Sequence, residues 1–265
     1  MATRASNVAE AFERRADRAA ALAPSSPSAQ APLEFAAGLY REQSLLADAV
    51  ARAHAGRTLT GQLERDLPAF TKWLGGVLRF AAERAPAQLR ELAQERLASE
   101  PSAWLVPWWK ESGSARTDYL SRAVLRPYAE VLAAVGIRPD RRAIAGACPF
   151  CSGRPWVGHR RVVGDSDGAQ RFLDCALCGG EWPVGRILCP ACDEVDPHKL
   201  PGFRSDVHAA VHIEACATCK AYVKSIDLGV DARAIPEVDD LVSVSMDLWA
   251  ADEGYTRIEP GLAGV

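Results

Sequence analysis

The sequence predicts a multidomain α+β protein in which an all-α helical bundle is followed by two tandem cysteine-rich units and a C-terminal helix. Three observations support this. Residues 1–147 contain 34 Ala but only 14 Val, Ile and Thr together, which favours helix over strand. All eight cysteines lie beyond that segment, as four C-x-x-C pairs. The second two pairs follow the first two at a constant offset of 41 residues, which indicates an internal duplication.

The change in composition at Cys148 gives the predicted domain organisation. From that residue onward Gly, Pro and Cys become frequent, and short β-rich runs replace helical patterns. Each cysteine-rich unit is expected to be a rubredoxin-like, or zinc-ribbon-like, metal-binding unit with four cysteine ligands. The predicted parts are a helical domain at 1–147, a first rubredoxin-like unit at 148–188, a second rubredoxin-like unit at 189–235, and a C-terminal helix and tail at 236–265.

Apolar spacing and chain breakers predict the elements of the helical domain. The segment "PSSPSAQAP" at 24–32 separates the first two helices, and Pro68 is placed in the first turn of the third. Pro127 is expected to kink or split the last helix. The predicted helices are 6–23, 33–54, 68–84, 87–98 and 117–136.

Several groups of side chains in this domain invite a structural interpretation. In the third helix an apolar stripe at helical spacing predicts a face toward the core, and so does one side of the last helix. The tryptophans of "WLVPWWK" are expected between helices in the core, and the arginines of "FERRADRAA" on a solvated helix face with local ion pairs. The stripe of the third helix consists of Phe70, Trp73, Leu74, Val77, Leu78 and Ala81, and the core-facing side of the last helix of Leu120, Val124, Val131 and Val135. The tryptophans are Trp104, Trp108 and Trp109, and the arginines are Arg14, Arg15 and Arg18.

Two patterns beyond residue 148 predict secondary structure. The runs "WVGHRRVV" and "AQRFLDC", joined by "GDSDG", predict a hairpin with a metal-binding turn at each end. Near the C-terminus, helical spacing of apolar residues predicts a helix with Asp239 or Asp240 as N-cap. Its expected buried positions are Leu241, Val244, Leu248 and Ala251.

Four C-x-x-C pairs predict two metal sites. Each pair bends around one ion, a second pair across a hairpin completes a tetrahedron, and four thiolates suit Zn²⁺ or a single Fe. A cross-braced arrangement would join pairs from different units, whereas a unit copied whole keeps its own ligands together. We therefore expect one ion held by Cys148, Cys151, Cys175 and Cys178, and another by Cys189, Cys192, Cys216 and Cys219.

This chemistry argues against an enzyme. A site closed by four thiolates has no open position at which to activate water. Thiol–disulfide catalysis needs an exposed cysteine of low pKa, often at a helix start in a βαβ context, and no such context is present in the sequence. The sequence also contains no Gly-rich phosphate loop and no Ser-His-Asp set.

Charge and hydropathy exclude two further classes. Residues 148–265 carry 11 Lys and Arg against 18 Asp and Glu, so we expect no binding to nucleic acid. No run of about 18 apolar residues occurs, and "MATRASNVAEAFERRADRAA" lacks the features of a secretory signal. We expect a cytoplasmic protein without membrane insertion, and paired thiols that serve metals rather than disulfides.

Four polar residues near the cysteines have a structural interpretation. His208 and His212 lie in "VHAAVHIEA", which reads as a strand leading to Cys216, and they are expected to be solvent-facing or supporting groups. Asp174 and Glu214 precede cysteine pairs and are expected to anchor the units by hydrogen bonds.

Taken together, these features resemble one family. The pairs "CPFC…CALC" and "CPAC…CATC", the connecting "GGEWPVGRILC", and the segments "IEACATCKAYVKSID" and "DDLVSVSMDLWAADEGYTR" resemble the FdhE-type formate dehydrogenase accessory proteins between about 147 and 258. Upstream, "FERRADRAAALA" and "LEFAAGLY" are similar to the family's opening helices. The ending "IEPGLAGV" departs from the family's usual tail.

The resemblance implies a function and a cofactor. It implies a cytoplasmic assembly factor that contacts the catalytic subunit of formate dehydrogenase, and it favours iron over zinc at the eight cysteines. The competing hypothesis is a rubredoxin-like iron electron carrier that serves a reductase.

Overall fold

A computed structural model describes residues 2–164 and 168–264. Within those residues, seven helices precede the first strand, and two short helices lie between the sixth strand and the last. The helices are α1 Ala2–Leu22, α2 Gln30–Gly56, α3 Leu63–Asp66, α4 Thr71–Arg84, α5 Ala87–Leu97, α6 Pro101–Lys110, α7 Tyr119–Val135, α8 Pro236–Asp239 and α9 Val244–Asp252. The strands are β1 Pro155–Val162, β2 Ala169–Cys175, β3 Glu181–Pro183, β4 Gly202–Arg204, β5 Val211–Ala215, β6 Ala221–Asp227 and β7 Thr256–Arg257.

The helical bundle is built around α1, α2 and α7. Apolar side chains from these helices form its core, together with Phe70 and the aromatic residues of α6. Every residue from 120 to 132 in α7 is buried, because this helix packs against other helices and, through Arg122 and Arg126, against Trp156 of β1. Asp118 caps its N-terminus by accepting a hydrogen bond from the Ser121 backbone N–H, and Gly136 ends it at φ 75°.

The strands form one mixed sheet with the order β3-β2-β1-β6-β5-β4, and β7 pairs with β6. Within each cysteine-rich unit the paired strands are antiparallel, and the units join where β1 runs parallel to β6. By the 41-residue offset, β5 corresponds to β2, β6 to β3 and β4 to β1. The second unit therefore repeats the strand order of the first beside it, so the duplication extends a single sheet.

Most predicted helices are confirmed, with local differences. Pro68 does not open α4; it lies in a 3-10 turn at Leu67–Ala69, and α4 starts at Thr71. Pro127 does not split α7, which runs unbroken from Tyr119 to Val135. The tryptophans of α6 are buried, as predicted, although the sequence analysis did not assign them to a helix. The tip of the predicted hairpin turn, at 165–167, lies outside the described residues.

The predicted C-terminal helix is wrong in its start and in part of its buried face, although Leu241 is buried as predicted. The segment is α8, a 3-10 turn at Asp240–Ser243 and then α9, and neither Asp239 nor Asp240 caps a helix. Leu248 is 56% exposed and Ala251 is exposed. Asp240 is buried instead because it pairs with Lys224 and Arg257. The ion pairs with Lys224 and Arg257 decide which side of this segment is buried, and the spacing of apolar residues cannot predict these pairs.

Buried ion pairs join the helical bundle to the C-terminal segment at α8. Arg15 and Arg126 both pair with Glu130 of α7 and with Glu237 of α8. The prediction of a solvated face is therefore wrong for Arg15, and also for Arg18, which donates to Asp239 at 3.0 Å. Apart from Arg126–Glu130, which lies within one turn of α7, these pairs connect segments more than 100 residues apart, so no local sequence pattern predicts them.

Candidate metal centres

The first cysteine cluster, Cys148, Cys151, Cys175 and Cys178, lies at the end of the β1–β2 hairpin. The Sγ atoms of Cys148 and Cys178 are 3.7 Å apart, and those of Cys151 and Cys175 are 3.4 Å apart. All four sulfur atoms lie within 4.8 Å of one another, and all four residues are buried. The arrangement brings four soft donor atoms to one point that solvent does not reach.

The second cluster, Cys189, Cys192, Cys216 and Cys219, has the same internal geometry. Its Sγ atoms are 3.7 Å apart both between Cys189 and Cys219 and between Cys192 and Cys216. Here, however, Cys192 and Cys219 are exposed. The duplicated unit therefore repeats the donor set but leaves one side of the second cluster open to solvent.

One backbone turn, used four times, makes these clusters. The residue after each C-x-x-C pair has a left-handed conformation: Ser152 at φ 59°, Gly179 at φ 64°, Asp193 at φ 58° and Lys220 at φ 59°. The left-handed residue turns the chain back, so that its N–H donates to the carbonyl of the first cysteine in the pair, as from Ser152 to Cys148 at 2.9 Å. Three of the four are not glycine, so the turn is held in a region that ordinary side chains disfavour.

The sulfur atoms of the first cluster leave no space for a side chain at Gly153. A Cβ at this position would lie 2.5 Å from the Cys175 sulfur, closer than any side chain permits. The Gly153 N–H instead donates to Cys151 Sγ at 3.3 Å. Glycine is therefore required for the chain to pass this close to the sulfur atoms.

The sulfur positions fit a single tetrahedral metal ion. A metal–sulfur distance of about 2.3 Å sets the edges of the sulfur tetrahedron at about 3.8 Å. The four Sγ–Sγ separations of 3.4–3.7 Å, two in each cluster, are close to that size. Backbone N–H groups also point at the sulfurs, as at Cys178 N to Cys175 Sγ at 3.4 Å, and such donors stabilise thiolates.

The titration of the thiols explains why a cation suits the cluster. Hydrogen bonds from the neighbouring thiols hold the pKa of Cys148 far below its ordinary value. Burial and the same neighbours raise the pKa of Cys175 well above its ordinary value. Ionisation of one thiol in the cluster is therefore favoured, and ionisation of a second is opposed, because adjacent thiolates repel each other in a buried site. A bound cation would remove that opposition and allow all four thiols to ionise.

The grouping of the cysteines is the one that the duplication predicts. Each cluster contains the two C-x-x-C pairs of one unit, and the cross-braced alternative would require sulfur atoms from the two different clusters to meet. That these sulfurs are metal ligands remains a prediction.

The four predicted supporting residues have different positions. Asp174 and Glu214 form the expected anchoring hydrogen bonds: Asp174 Oδ2 lies 2.8 Å from His159 Nδ1, and Glu214 accepts from Arg160 and Arg171. His212 lies in β5 and is buried. His208 is not in a strand; it ends a 3-10 turn, and its Nε2 lies 3.4 Å from Ser245 Oγ.

Comparison with known proteins shows which family of proteins the chain is similar to. A "Protein FdhE homolog" of Rhizobium meliloti (strain 1021) is 30% identical over an alignment 293 positions long, gaps included. The alignment covers 97% of this chain and 92% of that protein. The chain belongs to the FdhE family. The family model described as "FdhE, C-terminal domain" matches residues 187–262, which include the second cluster.

Two further comparisons cover much of this FdhE chain. A "Protein FdhE homolog" of Aquifex aeolicus (strain VF5) is 29% identical over 205 residues, 76% of this chain and 72% of that protein. "The crystal structure of the FdhE protein from Pseudomonas aeruginosa" matches with a TM-score of 0.69 at 25% identity, and the match covers 95% of this chain and 94% of that one. The helical part followed by the sheet is therefore the FdhE fold.

One residue beside the first cluster of this FdhE chain was missed by sequence reasoning. The Arg141 guanidinium lies 5.2 Å and 4.8 Å from the ring centroids of Trp108 and Trp109. None of its three nitrogen atoms has a hydrogen-bond partner among the described residues. Burial lowers the pKa of Arg141, and the nearby thiolates act in the opposite direction. The residue supplies a buried positive charge without a carboxylate partner, where four thiolates would carry an excess of negative charge.

The third group of possible ligands in the described residues is explained by ion pairing. His159, Asp174 and Glu181 lie within 4.8 Å of one another. Arg161 donates to Glu181 at 2.6 Å and lies 2.9 Å from His159 Nε2, so a guanidinium already occupies the position that a metal ion would need. The same arginine packs 4.2 Å from the Phe172 ring centroid.

Within the described residues, no helix combines the length and the apolar character needed to cross a bilayer.

Proposed function

We propose that this FdhE-family chain is a cytoplasmic accessory protein that is needed for the maturation of active formate dehydrogenase and that binds its catalytic subunit. The observation that carries the proposal is family membership along nearly the whole chain, combined with two convergent four-cysteine clusters in one sheet. A protein with this architecture offers a rigid surface for a partner, since bound metal would fix the ends of each hairpin, and Arg126 packs on Trp156 of β1 while it pairs with Glu237 of α8.

We propose two metal ions, one in each cluster. Iron is favoured by the family resemblance, and zinc suits the same four sulfurs. Bound metal would hold the ends of each hairpin together, and iron would in addition accept and release one electron. The proposed ligands are Cys148, Cys151, Cys175 and Cys178 for the first ion, and Cys189, Cys192, Cys216 and Cys219 for the second.

The donor sets argue against catalysis at the metals. Four thiolates fill a tetrahedron and leave no position for water or substrate, so metal-assisted hydrolysis has no place to occur. The proposed role is therefore binding and assembly, and the chain is proposed not to be an enzyme.

The proposal is tested by anaerobic affinity purification of the tagged protein from its own host. We expect the catalytic subunit of formate dehydrogenase to copurify, mainly in its immature form. A Cys148→Ser variant should lose one metal ion and recover less of that subunit. Ser102→Ala, at an exposed position on α6, is the matched control and should behave as the unchanged protein.

Two outcomes would contradict the proposal. One is the absence of the catalytic subunit when the purified protein is folded and loaded with metal. The other is a Cys148→Ser variant that retains its fold, its metal content and full support of formate dehydrogenase maturation.

Electron transfer is the second candidate function, and the exposure of the second cluster favours it. Cys192 and Cys219 would place one metal close to the surface, where an electron could pass to a partner. This function requires iron in the cluster and a reversible one-electron wave in protein film voltammetry. The absence of such a wave from the iron-loaded protein would exclude an electron carrier but leave the accessory role intact.

A further inference from the structure

A cavity rich in arginine lies on the sheet where the two cysteine-rich units meet. Its volume is about 170 Å³, and both units contribute to its walls. By volume it holds roughly five or six water molecules, which is enough for one small ion with part of its hydration shell. Its charged lining residues are Arg160, Arg171, Arg186, Arg204 and Glu214, and His212 also lines it.

The charges around this arginine cavity do not balance. Glu214 accepts hydrogen bonds from Arg160 and Arg171, both at 2.7 Å, so one carboxylate serves two guanidinium groups. Arg186 and Arg204 are exposed at the rim, and neither makes an ion pair with another described residue. Four guanidinium groups thus face a single carboxylate, in a part of the chain that is acidic as a whole, and Cys189 of the second cluster also lies in the wall.

Two buried nitrogen atoms of the cavity-lining residues lack a hydrogen-bond partner within the described part of the chain. His212 is only 6% exposed, and its Nε2 makes no hydrogen bond within the described residues. The Oε1 atom of Glu214 lies 3.5 Å from His212 Nε2. The Arg160 Nε atom is likewise buried without a partner. A buried polar atom without a partner costs free energy, and a ligand oxygen in the cavity would satisfy it.

We propose that the arginine cavity is a binding site for a phosphate-type oxyanion. The excess of guanidinium groups over carboxylates matches a divalent anion better than a singly charged carboxylate. Guanidinium forks bind phosphate oxygens through paired hydrogen bonds, and Arg186 and Arg204 have such forks available. This inference does not rest on the proposed role in maturation, nor on the identity of the metals.

The bound group is either free inorganic phosphate or a phosphoryl group carried by a nucleotide. The cavity has room for one phosphoryl group but not for a nucleoside, so a nucleotide would extend outward past the rim arginines. The same four arginines would recognise both ligands, and a binding experiment separates them.

The test is isothermal titration calorimetry of the metal-loaded full chain with inorganic phosphate at constant ionic strength. We expect saturable binding with one site per chain. Arg204→Gln and Arg186→Gln should each weaken binding on the order of tenfold, since each removes a charged hydrogen-bond donor. Arg90→Gln removes an exposed arginine on α5, away from the cavity, and should leave the affinity unchanged.

Further titrations distinguish the source of the phosphate and the class of the anion. A nucleoside monophosphate that binds more tightly than phosphate would identify a nucleotide site, and one that binds no more tightly would identify a phosphate site; both results support the proposal. Acetate binding as tightly as phosphate would overturn it. So would the absence of saturable phosphate binding, or equal weakening by Arg90→Gln and Arg204→Gln.

Discussion

The Arg126 guanidinium in α7 lies 4.7 Å from the ring centroid of Trp156 in β1. Arg122, one turn earlier in the helix, lies 4.8 Å from the same ring. Arg126 also donates to Glu130 at 2.7 Å and pairs with Glu237, and its side chain is only 2% exposed. The helical bundle and the first cysteine-rich unit are therefore joined by a buried charge held between an aromatic ring and two carboxylates.

Arg126→Gln should destabilise the protein strongly. The substitution removes the buried charge and leaves the carboxylates of Glu130 and Glu237 with Arg15 as their remaining partner. Breaking a buried ion pair from one side costs about 3–5 kcal/mol, because the other charge stays buried. We expect a loss of this order in the free energy of unfolding, measured by urea denaturation.

Arg52→Gln is the matched control for that experiment. Arg52 pairs with Asp48 one turn away on α2, but both side chains are about half exposed. Such surface pairs contribute about 0.3–0.5 kcal/mol. Equal effects of the two substitutions would show that the junction is not held by the buried pairs.

Glu214→Gln should loosen the contact between the two units. Glu214 in β5 accepts from Arg160 in β1 and from Arg171 in β2, and Arg171 is only 2% exposed. We expect a loss of about 3 kcal/mol in the free energy of unfolding, since Arg171 would be left buried without a carboxylate. Glu181→Gln removes a 40%-exposed carboxylate that pairs with Arg161, and should cost less than about 1 kcal/mol. If both variants unfold at the same urea concentration, the bridging role of Glu214 is refuted.

Chelators should remove the two proposed metal ions at different rates. Cys192 and Cys219 are exposed, whereas all four cysteines of the first cluster are buried. A colorimetric chelator should therefore release one ion in a fast phase and the other only as the protein opens. Cys189→Ser should abolish the fast phase, and Cys148→Ser the slow one. A single phase that releases both ions together would contradict the exposure argument.

The protein should lose stability as the pH rises above 10. Burial raises the pKa of Tyr128 above its ordinary value of 10.0, and the hydrogen bond to Asp66 raises it further. Burial likewise raises the pKa of Tyr222. The folded state then keeps protons that the unfolded state releases above pH 10. The free energy of unfolding should fall by up to about 1.4 kcal/mol per pH unit for each such tyrosine.

Urea denaturation at successive pH values from about 9 to about 11 measures this effect, with tyrosinate absorbance as a second readout. Tyr128→Phe should show a shallower decline, because one of the buried phenols is gone. It should also cost about 1 kcal/mol at neutral pH, where the hydrogen bond from Tyr128 to Asp66 at 2.6 Å is lost. A slope that Tyr128→Phe leaves unchanged would contradict the prediction.

Much of the local structure could be predicted from the sequence. Helical spacing marked the stripe of α4, in which Leu74, Val77, Leu78 and Ala81 are buried. The cysteine offset predicted which four sulfurs converge, because a C-x-x-C turn is a local structure and a duplicated hairpin preserves its own partners. These features depend on residues close together in the chain, so the local sequence pattern predicts them.

The sequence by itself determined the α+β class, the tandem repeat and the two sulfur clusters. The tertiary structure alone decided which charges are buried and where the units meet. Arg15, which reads as a solvated residue of α1, pairs with carboxylates more than 100 residues away, and Asp240 packs against Lys224 rather than capping a helix. The arginine cavity likewise combines residues of both units. Such pairings depend on which surfaces come together in three dimensions, because a buried charge is stable only where packing supplies its partner.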